Sequence, residues 1–277
     1  MKLSLGITPR DYSVSGGVTY DADALAYFNA NTAITSTADK NAINTFYLGL
    51  KSDGIYTKIQ AMYLPLWSSA SANKWNLKNP LDTNAAYRLS FTTGWTHTSS
   101  GITPNGTSTF AETFFNPRNN ATLYNQHLSY YSRTQTATGT NTDIGAFQNS
   151  APDVYVNSIA VFRSDNISVG NINSNDTTRL TPSETDGRGY YILSRTANNS
   201  LKLYKNNTTK ATSTTTTTLI NPNLGITIGG LNVDGTVSQY SNKQCAFCSI
   251  GDGLTDTQAS NFYTRINTLM TYFGINV

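Results

Sequence analysis

The feature that most constrains the fold of this chain is a change of hydrophobic period near Trp67. Before it, apolar residues recur at helical spacing. After it, short runs alternate or are rich in β-branched and aromatic residues, and Asn, Gly and Pro clusters separate them. Many short strands joined by polar turns are typical of an antiparallel β-sandwich or barrel. We therefore expect residues 65–277 to form a β-sandwich that ends in a helix. The predicted strands are 87–91, 110–115, 123–131, 154–162, 190–195, 201–205, 225–231 and 244–250.

Residues 20–64 are predicted to form a small helical element. Asp21 is a candidate N-cap of the first helix, Ser36 begins a capping-box pattern for the second, and Gly54 stands where that helix should end. A short third helix is predicted up to Pro65, which ends it. The apolar residues that indicate this third helix are Ile55, Ile59, Met62 and Tyr63.

Both ends of the chain have a distinct pattern. Thr255 and Gln258 match a capping box, and an apolar stripe over residues 255–273 predicts a C-terminal helix that Gly274 closes. We expect that stripe to pack on the sandwich or on the N-terminal helices. Residues 1–19 contain several Gly and one Pro, and they are expected to form an extended arm that packs on a neighbouring subunit.

Charge and hydropathy exclude several classes of protein. Only 13% of the residues are charged and the net charge is +3, whereas ordinary soluble domains carry about 25% charged residues. No Lys/Arg cluster is present to hold a phosphate backbone, so no nucleic-acid partner is expected. No apolar stretch is long enough to span a membrane, and the first ten residues lack the apolar core of a secretion signal. Thr, Asn and Ser make up about a third of the chain, and such neutral surfaces would let many copies pack without like-charge repulsion.

The cysteines and acidic residues predict no metal site and no cofactor. Cys245 and Cys248 form a single C-x-x-C, and a zinc site would need a second ligand pair. Residues three apart in a strand point to opposite faces, so we expect two structural thiols without a disulfide. Asp143, Asp165 and Asp252 are possible calcium ligands, but they form no recognisable pattern.

Three motifs within residues 185–265 resemble concanavalin A-like (laminin G-like) jelly-roll domains. Leu201-Lys-Leu-Tyr-Lys-Asn-Asn resembles their Leu-x-Leu-Tyr-x-Asn-Gly hairpin, with Asn207 in place of the usual Gly. Ile226-Thr-Ile-Gly-Gly-Leu-Asn resembles the strand that follows. Ser249-Ile-Gly-Asp-Gly-Leu-Thr-Asp resembles the last core strand and the corner before a helix. The resemblance implies a mainly β, concanavalin A-like antiparallel sandwich. Whether the Thr-rich residues 214–218 form an edge strand or a loop stays open.

A second resemblance concerns the first half of the chain. Lys74-Trp-Asn-Leu-Lys-Asn-Pro-Leu-Asp-Thr-Asn-Ala-Ala-Tyr-Arg-Leu-Ser-Phe and Gly94-Trp-Thr-His-Thr-Ser-Ser-Gly-Ile-Thr-Pro-Asn-Gly-Thr are similar to a segment of tailed-phage virion proteins, and Ala42-Ile-Asn-Thr-Phe-Tyr-Leu belongs to the same pattern. This resemblance implies a non-enzymatic structural protein of the bacteriophage virion, such as a head or tail fibre, spike or decoration component. It would act by assembly with other virion proteins and copies of itself.

Because concanavalin A-like folds also include glycoside hydrolases, the acidic residues bear on whether this chain is an enzyme. Retaining hydrolases need two carboxylates about 5 Å apart. Glu184 and Asp186 are the nearest approach, but they lie in a turn-like segment, and Glu112 has no partner. With only His97 and His127, and without a Gly-x-Ser-x-Gly elbow, no nucleophile triad is indicated. We therefore expect no enzyme, and a hydrolase is the least favoured hypothesis.

A carbohydrate-binding, lectin-like module that recognises host-surface glycan is the alternative function. Glycan sites combine an aromatic platform with amide and carboxylate groups. Trp95 and His97 alternate with Thr96 and so share a face, although Trp95 also fits a core position. Asn105 and Tyr130 are further candidates, because loops and aromatic strands could converge at one end of a sandwich.

Overall fold

The computed structural model describes residues 19–137 and 139–277. The expected arm therefore lies outside the described residues, apart from Thr19. The helices are α1 (Ala22–Ala30), α2 (Thr37–Ser52), α3 (Ala70–Asn73), α4 (Pro117–Asn120) and α5 (Asp256–Tyr272), and single 3₁₀ turns span Tyr56–Lys58 and Asn84–Ala86. The strands are β1 (Ile59–Tyr63), β2 (Ser90–Phe91), β3 (Thr96–Thr98), β4 (Gly101–Thr103), β5 (Ala111–Glu112), β6 (Gln126–Ser132), β7 (Ile144–Ser150), β8 (Asp153–Ala160), β9 (Val169–Ile172), β10 (Gly189–Ala197), β11 (Ser200–Lys205), β12 (Thr208–Ser213), β13 (Thr227–Ile228), β14 (Leu231–Val233), β15 (Thr236–Ser238) and β16 (Cys245–Gly251).

The predicted helix boundaries are largely confirmed. The Asp21 side chain accepts hydrogen bonds at the start of α1, and Ser36 accepts one from the Asp39 amide at the start of α2. Thr255 and Gln258 form a complete capping box before α5. Gly54 follows α2 in the left-handed conformation, with φ 66°, which glycine adopts without a steric penalty. Among the described helices, none has the length and apolarity that a membrane crossing requires.

The predicted third helix is wrong. After a single 3₁₀ turn, the segment from Ile59 to Tyr63 forms strand β1, which pairs with β16. Because this strand is apolar on both faces, its residues also satisfied a helical spacing, and periodicity alone does not separate the two. The helical element therefore ends earlier than expected, and its last residues belong to the sandwich.

Two sheets form the sandwich. The first, here called the helix-covered sheet, runs β12-β11-β10-β6-β16-β4-β3, and β1 pairs with β16 beside it. The second, here called the open sheet, runs β15-β14-β7-β13-β5-β2, with β8 paired to β7 and β9 paired to β8. The pairs are antiparallel except β14 with β7, which is parallel. The expectation of a mainly β, antiparallel sandwich is thus confirmed, with one parallel pair added.

Two hydrophobic cores divide the molecule, and strands of the helix-covered sheet contribute to both. In β10, Tyr191 and Leu193 point into the core between the sheets, whereas Tyr190 and Ile192 point into a core beneath the helices. Helices α1, α2 and α5 close that second core. The C-terminal helix therefore packs on both the sandwich and the N-terminal helices, and an ion pair from Arg265 to Asp53 at 2.8 Å joins α5 to the end of α2.

The two cysteines do not have the orientation that was expected from their spacing in the sequence. Both are buried free thiols in β16, but they do not point to opposite faces: both lie in the core between the sheets, and Ala246 and Phe247 point to the other core. The β16–β6 register shifts between Cys245 and Phe247, which marks a bulge. A bulge adds one residue to a strand, so the alternation of faces is interrupted there.

The predicted hairpin is present. β11 and β12 pair from Lys205 with Thr208, and Asn206 takes a left-handed φ of 55° in the turn, which Asn tolerates better than most residues. β12 is the edge strand of the helix-covered sheet and ends at Ser213. Residues 214–218 are therefore a loop.

Candidate functional site

The outer face of the open sheet carries a groove of about 300 Å³. Its floor lies on β7, β8 and β9, whose register sets Phe147 opposite Val156 and Ala160 opposite Val169. Between these pairs Gly145 faces Ser158, and a Cβ added to the glycine would lie 2.5 Å from the Ser158 Cβ. A side chain at position 145 would collide with Ser158, so the close approach of β7 and β8 requires a glycine there.

The floor is apolar, yet it belongs to neither hydrophobic core. Val156, Ala160, Val169 and Leu231 line the groove and are each 4–5% exposed, and none of them joins the core between the sheets or the core beneath the helices. In an antiparallel sheet with one open face, that face is normally polar. These side chains are nearly buried, and most of the accessible surface of the groove is polar. A concave groove with apolar side chains at its base and polar groups around them is typical of a ligand-binding site.

Two arginines stand at the edge of this groove. Arg163 Nη2 lies 3.1 Å from Asp165 Oδ2, and Arg179 Nη1 lies 2.8 Å from Asp176 Oδ1. The arginine side chains are 17% and 27% exposed, whereas the two carboxylates are 45% and 89% exposed. Ion pairs with such exposed carboxylates contribute at most about 1 kcal/mol. They orient the guanidinium groups without closing the groove.

Neutral polar groups complete the lining. Thr142 Oγ1 donates to Gln239 Oε1 at 3.0 Å on one side. On the other, Asn171 Oδ1 accepts from Ser174, and Asn175 Oδ1 accepts from the Thr177 amide to shape the turn that carries Asp176. Amide, hydroxyl and guanidinium groups thus surround an apolar floor, an arrangement that suits a ligand with both an apolar face and many hydroxyls.

Trp95 and His97, the main predicted glycan contacts, lie elsewhere in the fold. Both are half-buried and both contact Phe91, with ring centroids 5.5 Å and 5.0 Å away. Trp95 Nε1 donates to the Phe110 carbonyl oxygen at 3.2 Å, and burial lowers the pKa of His97. The two side chains do share a surface, but part of the Trp95 ring packs against the edge of the core between the sheets.

The other two predicted contacts have structural roles. Asn105 is exposed, and its Oδ1 accepts from the backbone amides of residues 107–109 to close a loop. Tyr130 does not have the exposed position expected of a glycan contact. It is fully buried in the core between the sheets, where its hydroxyl donates to the Lys243 carbonyl oxygen at 2.8 Å. A side chain without exposed surface has no direct access to a glycan in solvent.

The acidic residues considered for hydrolysis are paired with cations. Burial raises the pKa of Glu184, but the ammonium groups of Lys205 and Lys210 outweigh burial and hold that pKa below its usual value. Asp186 forms an ion pair with Arg188 at 2.7 Å, which lowers its pKa as well. A general acid needs a raised pKa, so neither carboxylate has the properties of one.

A serine–histidine pair that spacing did not reveal lies beneath α5. His127 Nε2 is 2.9 Å from Ser249 Oγ, and His127 Nδ1 is 2.6 Å from the Asp252 carbonyl oxygen. Ser129 and Tyr190 extend the hydrogen-bond chain, and all four side chains are fully buried. Because a carbonyl only accepts, Nδ1 carries the proton and Ser249 donates to Nε2. Both side chains are fully buried, and both imidazole nitrogens have hydrogen-bond partners, so we assign the pair a structural role in the core.

Within residues 19–137 and 139–277, no group of three or more His, Cys, Asp or Glu side chains is placed to hold a metal ion. Of the candidate ligands, Asp143 is fully buried and accepts from Ser241 Oγ and the Val161 amide. Lys243 Nζ, also fully buried, lies 3.8 Å from Asp143 Oδ1. This carboxylate is therefore part of the core.

The groove itself was missed at the level of sequence, although a signal was present. Val154, Val156 and Ala160 alternate with Ile159 and Val161, so the strand is apolar at both parities. Such a strand is buried on both faces. Periodicity does not state whether the second face is covered by the chain or by a ligand.

A scan against protein-family models and a search of curated proteins found no match. Solved structures with a similar fold do exist. A mutant of Trypanosoma rangeli sialidase displaying trans-sialidase activity matches with a TM-score of 0.53 at 12% identity, over 82% of this chain and 39% of that one. Trypanosoma rangeli sialidase in complex with 2,3-difluorosialic acid gives a TM-score of 0.51 at 12% identity, over 83% and 39%. Domain 4 of AbnA, a GH43 extracellular arabinanase from Geobacillus stearothermophilus, gives 0.44 at 15% identity, over 74% and 98%.

These likenesses show the fold and nothing finer. At 12% identity, the two sialidase matches establish a β-sandwich consistent with a jelly roll. The chain spans only 39% of the length of these sialidases. Its place in the concanavalin A-like fold class, expected from the hairpin and strand motifs, is thereby supported.

Proposed function

We propose that this chain is a carbohydrate-binding β-sandwich module that holds a glycan in the groove on the open sheet. The observation that carries the proposal is the apolar floor, formed by side chains such as Val156 and Val169 that join neither core. The carbon-bound hydrogens of a sugar ring would lie on this floor. The ring hydroxyls would meet the guanidinium, amide and hydroxyl groups of the edge.

The fold is in keeping with this function. Two of the solved structures with a similar fold are sialidases. Together with the groove, this favours the lectin-like hypothesis over a purely structural role. The sequence resemblance to tailed-phage virion proteins supports a place for the module on a phage particle, where glycan binding would attach the particle to its host. Mass spectrometry of purified particles tests that location.

The groove is tested with a residue at its centre. Ser158 lies on the floor between Gly145 and Asn171 and is 5% exposed. Replacing it by tyrosine should fill the groove and abolish binding on a glycan array. Thr212→Tyr, which places the same side chain on the exposed edge strand β12, is the matched control and should bind as the parent does.

Trp95→Ala separates the two candidate surfaces. If the groove is the site, this variant keeps its glycan binding, because Trp95 does not line the groove. Loss of binding in Trp95→Ala together with full binding by Ser158→Tyr would place the site on the Trp95 surface instead. If the parent chain bound no glycan on the array, the proposal would be overturned. Circular dichroism confirms in each case that the variant is folded.

A further inference from the structure

Arg163 and Arg179 line the groove, and each has a hydrogen-bond donor without a partner among the described residues. The Nε atom of each is buried, and each lacks a hydrogen-bond partner among the described residues. Buried polar nitrogen atoms are nearly always paired in folded proteins. The ion pairs to Asp165 and Asp176 each use one terminal nitrogen. Two guanidinium groups that border the same cavity therefore retain unused hydrogen-bond donors.

The charged groups at the groove are two arginine–aspartate pairs. Arg163, Arg179 and Asp176 line the groove, and Asp165 pairs with Arg163 beside it, so these four charges sum to zero. The remaining lining side chains are neutral. Asp165 and Asp176 are 45% and 89% exposed, so a ligand carboxylate competes only with well-solvated aspartates for the two guanidinium groups.

We infer that the groove selects sugars that carry a carboxylate, with the guanidinium groups of Arg163 and Arg179 as the recognition elements. This inference rests on the proposed function. A guanidinium forms two parallel charge-assisted hydrogen bonds with a carboxylate, and these are stronger than bonds to a neutral hydroxyl. The apolar floor of Val156 and Val169 strengthens them further, because it excludes water from one side.

Hexuronic acids and sialic acids both supply such a carboxylate, and the experiment distinguishes them. Isothermal titration calorimetry on the full chain would use two matched pairs of ligands. The first is a disaccharide ending in glucuronic acid and its glucose counterpart, and the second is sialyllactose and lactose. We expect one acidic member to bind at least about tenfold more tightly than its neutral partner, with a preference that weakens as salt is added.

Variants assign the preference to the arginines. Arg163→Gln and Arg179→Gln should each remove most of the preference for the acidic sugar. Arg188→Gln is the matched control: Arg188 also pairs with an aspartate, at 2.7 Å, but lies outside the groove, and the preference should persist. The comparison of ligands on the parent chain needs no variant, so it stands even if an arginine substitution impairs folding.

The outcomes separate two kinds of failure. Equal affinity for acidic and neutral sugars, with binding lost in Ser158→Tyr, would overturn the inference and leave the glycan-binding function in place. A preference that both Arg→Gln variants retain would overturn it as well. No binding of any sugar would overturn both the inference and the proposed function.

Discussion

The two outer faces of the sandwich both carry apolar side chains, but they differ in what covers those side chains. On the helix-covered sheet, Tyr190 and Phe247 meet Phe262 of α5 in edge-to-face contacts, with centroid distances of 5.5 Å and 5.9 Å. On the open sheet, the corresponding face carries small side chains such as Val156 and Ala160, and a groove of about 300 Å³ remains above them. Large aromatic rings fill space with the chain's own helices, whereas small side chains leave space for a ligand.

Because of this difference, residues that mainly stabilise the fold and residues that contact a ligand should lie on opposite outer faces. A side chain in the helix-covered core contributes to the folded state through packing that is lost on unfolding. A side chain on the groove floor is nearly buried, and the small part of its surface that stays exposed faces the groove. Substitutions on the two faces should therefore affect different measurements.

Phe262→Ala is the strongest test on the covered side. Phe262 is fully buried among Tyr190, Phe247 and His127, and removing such a ring costs about 3–5 kcal/mol of unfolding free energy. Urea denaturation measures the loss. Glycan affinity at low temperature, where the variant is folded, should be unchanged. A cost below about 1 kcal/mol would show that the helices do not stabilise the sheet.

The buried Lys243–Asp143 pair lies between the sheets and links the two sides. Lys243→Met removes the cation and leaves Asp143 buried without it, which should cost about 3–5 kcal/mol. In the double variant Lys243→Met/Asp143→Leu no buried charge remains, so a smaller loss is expected. A double-mutant cycle by chemical denaturation gives both values. Equal losses in single and double variants would contradict a coupled pair.

Acid should lower the free energy of unfolding through His127, which lies beneath the helices. Burial lowers its pKa to about 4, whereas an unfolded histidine titrates near 6.5. The unfolded chain therefore binds a proton that the native chain excludes, and stability present above pH 6.5 falls as the pH decreases to about 4. The loss is of the order of 3 kcal/mol. Thermal melts from pH 7 to pH 4 measure it, and His127→Asn should flatten the dependence in this window.

Val156→Ala is the counterpart on the open side. Val156 packs in neither core and is 5% exposed on the groove floor. Its truncation removes two methyl groups from a nearly buried position and should cost about 1–2 kcal/mol of stability, less than the loss of Phe262. It should also lower glycan affinity by a few fold because the sugar loses apolar contact. Calorimetric titration and denaturation of the same sample compare the two effects. A large stability loss without a change in affinity would reverse the assignment of this face.

Much of the local structure follows from local chemistry. The caps at Asp21, Ser36 and Thr255 and the left-handed Asn206 were predicted because each depends on a few neighbouring residues. The mainly β sandwich followed from the period of the strands. In contrast, the strand Ile59–Tyr63 was read as a helix, because its pairing partner β16 is nearly two hundred residues away.

The site depended on contacts that the sequence does not encode locally. Tyrosine is a residue type that often contacts glycans, but the alternation of side chains along β6 places Tyr130 in the core between the sheets. The bulge in β16 places both cysteines on the same face of that strand. The sequence of β8 is apolar at both odd and even positions. Only the tertiary structure decided that one face packs against the other sheet and the other is left as a groove, because burial depends on which distant elements come to lie above each face.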